Sequence, residues 1–266
     1  MVRSLMTSAA TALCLGSAVF AGSNMPSPDD AAQFDILPGW RTPSGTHMTA
    51  LRVRLAPGWK TYWRAPGEGG IPPQINFSGS RNVTAAVTHF PAPEVFYANG
   101  LRSIGYSKQV VLPIEFSVPD QSGAAQLNAR MDIGVCEDIC MPMSLNISAT
   151  LPAGGARDAA ILDALAARPA VFDSPVTCEV TPINDGLRVS ASYAVPPGVS
   201  AGAVSVVEPG DPTVWATDTQ TQMSGGRITS TVEFVPPRGQ PMMLDRSAIR
   251  VTVLGGARAF ELRGCD

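Results

Sequence analysis

Histidine is almost missing from this chain. Its 266 residues hold two, His47 and His89, in separate segments, so a His-based metal cluster is not expected and no base stands beside a thiol as a cysteine hydrolase needs. Charge is sparse as well: Asp, Glu, Lys and Arg make up 15% and the formal balance is −3, with neither a basic patch nor an acidic run. Nucleic acid is therefore not an expected partner. Beyond the N-terminal segment no apolar stretch approaches the roughly 18 residues of a membrane span, so the mature chain is not expected to cross one. Helical periodicity is scarce, and no Cys-x-x-Cys leads into a helix, which speaks against a thioredoxin fold. What is present is 25 Gly, 24 Pro and many short alternating runs, the composition of all-β modules of the sandwich type.

Residues 1–21 carry Arg3, then an apolar run through Leu13, Leu15, Val19 and Phe20, and the small Ala21 at the end. This is the pattern of a secretory signal. Cys14 lies in the apolar core behind Leu13, where a lipid-attachment site takes a small residue, so it is expected to leave with the signal. Of the five cysteines four then remain, an even number suited to an oxidising compartment.

Two modules fit the rest. In the first, over 33–152, Leu51, Val53 and Leu55 alternate with Arg52 and Arg54, and Val110, Leu112, Ile114, Phe116 and Val118 repeat the pattern. Over 153–169, Ile161, Leu162 and Leu165 fall at helical spacing between Gly154-Gly155 and Pro169, which predicts a short linker helix. In the second, over 170–266, Leu187, Val189, Ala191 and Tyr193, then Ile228, Val232 and Phe234, then Ile249, Val251 and Val253 read as strands, with Asn184-Asp185-Gly186 and Gly225-Gly226 at turns. Cys178 and Cys265 stand near this module's two ends. A bridge between them would be structural and stabilise by about 2–4 kcal/mol; free thiols or a bond to another chain are the alternatives.

Cys136 and Cys140 are the pair close enough to form a short-range redox switch. Leu127, Ala129, Met131, Ile133 and Val135 alternate with polar residues before them, and Leu145, Ile147, Ala149 and Leu151 do so after them, so the cysteines fall at a hairpin tip. Four extended steps would part them by about 13 Å, beyond disulfide reach, so the chain must turn back between them. Continued alternation puts Cys136 on the polar face with Asp132 and Gly134, where another protein could reach the pair. Glu137 and Asp138 between the sulfurs disfavour a thiolate, and the loop itself offers no cation in return. A simple loop staple is the structural alternative.

A set of blocks in fixed order carries a family resemblance: Pro57-Gly58-Trp59-Lys60-Thr61-Tyr62-Trp63-Arg64-Ala65-Pro66-Gly67, Gly70-Ile71-Pro72-Pro73, Phe90-Pro91-Ala92-Pro93-Glu94, Ile104-Gly105-Tyr106, and Val135-Cys136-Glu137-Asp138-Ile139-Cys140-Met141-Pro142. Together they resemble the N-terminal periplasmic domain of the thiol:disulfide interchange protein DsbD, in its ScsB-like branch. The resemblance implies immunoglobulin-like β-sandwich modules and a periplasmic protein that relays electrons from a membrane-embedded, DsbD/CcdA-like thiol reductase to oxidised periplasmic proteins, including thioredoxin-fold proteins. It needs no cofactor. Cys136 and Cys140 match the family's active pair, at a shorter spacing than in its best-known members. Those members continue into transmembrane and thioredoxin-like domains, which are not expected here, so its electrons are expected to come from a separate protein. An aromatic segment shields the family's site, and block order places it on Glu94-Val95-Phe96-Tyr97, with Phe96 as the cap, Tyr97 beside it and Tyr62 as a second shielding aromatic. In the family the second cysteine, here Cys140, forms the mixed disulfide and the first, here Cys136, resolves it.

Two other readings stay open on the sequence. Met131, Met141 and Met143 surround the cysteines, and soft sulfur ligands select copper(I), although Met131 has the parity of a buried strand face. A non-catalytic binding module with two structural bridges is the other.

Overall fold

The computed structural model describes residues 28–98 and 100–266; the signal expected over 1–21, with Cys14, and Asn99 lie outside them. The architecture is all-β. A single turn, α1 (Pro28–Ala31), leads into β1 (Ala32–Arg41), β2 (Thr46–Leu55), β3 (Lys60–Tyr62), β4 (Gln74–Asn76), β5 (Ala85–Thr88), β6 (Glu94–Ala98), β7 (Leu101–Ser107), β8 (Gln109–Ser117), β9 (Ala125–Cys136) and β10 (Cys140–Leu151). These strands make two sheets, one in the order β1-β2-β8-β5 and one in the order β10-β9-β3-β7-β6, to which β4 adds beside β9. Alternation explains how they close on each other. Leu51, Val53, Leu112, Ile114 and Phe116 from the first sheet meet Leu127, Met131, Ile133 and Val135 from the second, and Trp59 and Trp63 complete this core.

The chain then enters α2 (Ala159–Ala166), where Asp158 accepts from the Ala160 and Ile161 amides and so caps the free N–H groups. Ile161 and Ala164 are buried against Leu37, Trp40, Met48, Ala50 and Val111. The helix thus covers the outer face of the first sheet, which is why β2 is buried on both sides at positions 47 to 51.

The second module comprises β11 (Ala170–Val171), β12 (Thr177–Ile183), β13 (Gly186–Ala194), β14 (Val204–Glu208), β15 (Trp215–Ala216), β16 (Gln220–Ser224), β17 (Arg227–Val235), β18 (Arg250–Leu254) and β19 (Phe260–Arg263). Again two sheets form, β11-β19-β18-β14 and β12-β13-β17-β15, the latter joined by β16 along β17. Val189, Tyr193, Val232, Phe234, Val251 and Val253 fill the space between them. Tyr193 is fully buried, and its hydroxyl is satisfied by Ser205 at 2.7 Å and Ser230 at 2.8 Å. A disulfide joins Cys178 on β12 to Cys265 just past β19, closing 87 residues of sequence with Cα atoms 5.6 Å apart.

Candidate functional site

The long hairpin β9–β10 keeps register from Leu151 opposite Ala125 to Cys140 opposite Cys136. Glu137, Asp138 and Ile139 make the turn, held by the Glu137 amide donating to the Ile139 carbonyl at 3.1 Å. Facing residues of an antiparallel pair stand close enough for a disulfide without further folding, and the two Cα atoms are 4.1 Å apart with the Cys136–Cys140 bond formed. Both sulfurs therefore lie on one face of the sheet, its outer face.

That face is not open where Cys136 lies. Strand alternation does group Cys136 with Asp132 and Gly134, yet Cys136 is only 4% exposed, whereas Cys140 is exposed. A nonlocal segment packs on this face beside it. Between β3 and β4 the chain crosses back over the sheet: Gly70 lies on the Tyr62 ring, where a Cβ would stand 2.6 Å from Cδ1, and Ile71 sits on Gly134, where a Cβ would stand 2.7 Å from its own. Both glycines are there because no side chain fits. The expected reachable pair is thus reachable at Cys140, while Cys136 is buried.

Tyr62, at the end of β3, is buried, and its hydroxyl is 3.7 Å from Cys140 Sγ. Burial holds its phenol above the ordinary value, so it reaches the sulfur as a neutral hydroxyl. Lys60 is part of a quoted sequence block but was assigned no place at the site. On β3 it is the partner of Cys136 on one side and Ser107 on the other, so Cys140, Cys136, Lys60 and Ser107 form one row across four strands. Phe96 on β6 shares this face and enters the site through Lys60, whose Nζ is 5.5 Å from the ring centroid. Tyr97 takes the opposite parity and is 72% exposed. The sequence signal for Lys60 was the Pro57 to Gly67 block itself, but strand pairing is needed to align it with a cysteine. Met131 and Met143 are buried in the core, which leaves Met141 as the half-buried thioether next to the pair.

The covering segment is anchored in the second module. Arg64 Nε and Nη2 each donate to Glu208 at 2.8 Å, and Nη2 also reaches Glu261 at 3.2 Å. Arg102 pairs with Asp218 at 3.4 Å, and the Glu68 amide donates to the same carboxylate at 3.3 Å. Val204, Val206, Leu254 and Ala259 join the first module's core directly. A cleft of about 710 Å³ runs between the modules, bordered by Phe90, Arg102 and Trp215 among others.

Residues 23–152 match the family described as thiol:disulfide interchange protein DsbD, N-terminal. The crystal structure of the N-terminal periplasmic domain of ScsB from Proteus mirabilis is similar to the chain with a TM-score of 0.65 and 25% identity, covering 90% of this chain and 95% of that one. The likeness therefore runs through the second module. No curated protein matches.

Proposed function

We propose, from the premise that residues 23–152 form a DsbD N-terminal-like domain, that this chain exchanges thiols for disulfides with other periplasmic proteins through Cys136 and Cys140. The observation that carries the reading is the unequal exposure of two bonded sulfurs at a hairpin tip. A structural staple gains nothing from that inequality, whereas exchange requires one sulfur to meet the partner and another to wait.

In the reducing direction Cys140, as thiolate, attacks one sulfur of an oxidised partner and expels the other as a thiolate, which takes up a proton. Cys136 then attacks Cys140 Sγ, re-forming the Cys136–Cys140 bond and releasing the partner's second sulfur as thiolate. Two electrons have passed to the partner. The chain is recharged by the reverse exchange with a membrane-embedded thiol reductase, and thioredoxin-fold proteins are the expected acceptors. Tyr62 and Phe96 shield the pair between encounters, whereas Tyr97, expected beside them, points to the other face of the sheet, and the turn residues Glu137 and Asp138 slow small anionic oxidants at the opening.

The test is a redox titration of the folded chain against glutathione, followed by exchange with a purified periplasmic thioredoxin-fold protein. The Cys136–Cys140 bond should equilibrate within the range of periplasmic donors and oxidise on adding the oxidised protein. A bond that resists reduction until the chain unfolds is a staple, and the proposal then fails.

A further inference from the structure

From the contact between a buried phenol and an exposed sulfur, we infer that Tyr62 is a catalytic residue of the exchange, its hydroxyl donating a hydrogen bond to Cys140 Sγ when that sulfur is a thiolate. The inference rests on the exchange reading above and gives Tyr62 a chemical role beside its shielding one. Its hydroxyl oxygen is 3.7 Å from Cys140 Sγ, within the longer reach of hydrogen bonds to sulfur. Tyr62 is only 4% exposed, and a buried phenol needs a polar partner; the sulfur is the one it has. Two glycines fix the ring in this position. A Cβ on Gly70 would stand 2.6 Å from Tyr62 Cδ1 and 3.0 Å from Cε1, and a Cβ on Gly105, the partner of Tyr62 on β7, would stand 3.0 Å from its Cα. A side chain at either place would turn the ring or push β3 away from the hairpin.

The surroundings of Cys140 otherwise disfavour its charge. Glu137 and Asp138 are exposed in the turn, with the Glu137 carboxylate resting on Gly58, and both oppose a thiolate. Met141 and Pro142, which follow on β10, carry no charge. On β9 Asp132 accepts from Ser144 and Arg130, on β6 Glu94 accepts from Ser107 at 2.9 Å, and on β3 the Lys60 ammonium lies over the Phe96 ring at 5.5 Å. Burial raises the Tyr62 phenol above its ordinary value, so it keeps its proton where the thiol loses one. A hydrogen bond given to the charged form favours that form, and one to an ionised acceptor is among the stronger kinds. In the first exchange step the Cys140 thiol gives its proton to water, the thiolate attacks one sulfur of the partner's disulfide, and the other sulfur leaves with the electron pair. Tyr62 remains a neutral donor throughout.

The experiment uses the full chain carrying Cys136→Ala, with the 178–265 disulfide intact, and follows the pH dependence of the reaction of Cys140 with dithiodipyridine, an uncharged disulfide. Tyr62→Phe keeps the ring and removes only the hydroxyl. It should raise the midpoint by about one pH unit. A thiol of higher pKa is less ionised but more nucleophilic as thiolate, so below both midpoints the variant should react about threefold more slowly and above both about threefold faster. The two profiles cross. If the Phe variant does not fold, Tyr62→Leu is read in its place, by its midpoint alone. An unchanged midpoint in the folded variant, or a rate altered by the same factor at every pH, leaves Tyr62 a shield and overturns the assignment. No partner protein takes part, so the exchange reading is judged separately: a shifted midpoint with no exchange with a purified periplasmic thioredoxin-fold protein sinks that reading, and normal exchange with a flat midpoint sinks the role of Tyr62.

Discussion

At the scale of single residues, the two cysteines are chemically identical and physically unlike. Cys136 ends β9 and is buried, two residues past Gly134 on which Ile71 packs, while Cys140 opens β10 and is exposed. Removing the stored thiol should therefore freeze the mixed disulfide. Cys136→Ala is expected to accumulate a covalent complex with a periplasmic redox protein through Cys140, and Cys140→Ala much less, on non-reducing gels with mass spectrometry of the captured species. Equal trapping by both variants would remove the distinction. The alternation of residues 127–135 already assigned Cys136 its face, and that much was legible from the chain alone. Its burial was not, because the residues on this face beside it come from β3 and from the 70–71 segment that packs on Tyr62 and Gly134, and no local pattern reports a segment that returns over a sheet. Lys60 was hidden for the same reason: its neighbour in space is 76 residues away in the pairing Lys60–Cys136.

At the scale of elements, the two disulfides occupy different mechanical settings. The Cys136–Cys140 bond lies across facing residues beside a three-residue turn, so its removal frees little chain. The Cys178–Cys265 bond closes 87 residues and is flanked by backbone bonds, the Cys178 amide donating to the Asp266 carbonyl at 3.0 Å. Stepwise reduction with alkylation should open 136–140 well before 178–265. Loss of the long-range bond should lower unfolding stability by about 2–4 kcal/mol, read by denaturant melts, and loss of the short one by less. Two elements compete for the role of shield, β6 with Phe96 and the crossing segment with Ile71. Ile71→Ala and Phe96→Ala should each speed alkylation of the reduced Cys136 several-fold, since each uncovers the same face; a folded Phe96→Ala with an unchanged rate would leave the shielding to Ile71 and Tyr62. Long alternating strands such as β9 and β13 were legible because each shows its period over many residues. Two- and three-residue strands such as β4 and β15 were not, since their pairing depends on β9 and β17. The helical spacing of Ile161 and Leu165 pointed to α2, but its burial against the outer face of β1, β2 and β8 needed the fold.

At the scale of the whole molecule, Arg64 ties the modules together from the stretch of chain that begins on β3. Its side chain is 17% exposed and those of Glu208 and Glu261 are 16% and 11%, so these charges are largely out of water and depend on one another. Arg64→Met leaves Glu208 to Arg250 and Glu261 to Arg250 and Arg263, and the lost charged hydrogen bonds should cost about 1.5–3 kcal/mol of unfolding stability by denaturant titration. A loss under about 1 kcal/mol would show that solvent replaces the contact freely. The same arginine lies seven residues before Ile71, so the packing on Gly134 beside Cys136 and the closure of two modules share one short stretch. Work done at either end must be felt at the other with equal magnitude, as reciprocity between coupled equilibria demands. A protein that grips the second module and loosens its hold on Arg64 would make the stored sulfur easier to reach, and a partner bonded to Cys140 would in turn bind that gripping protein more tightly.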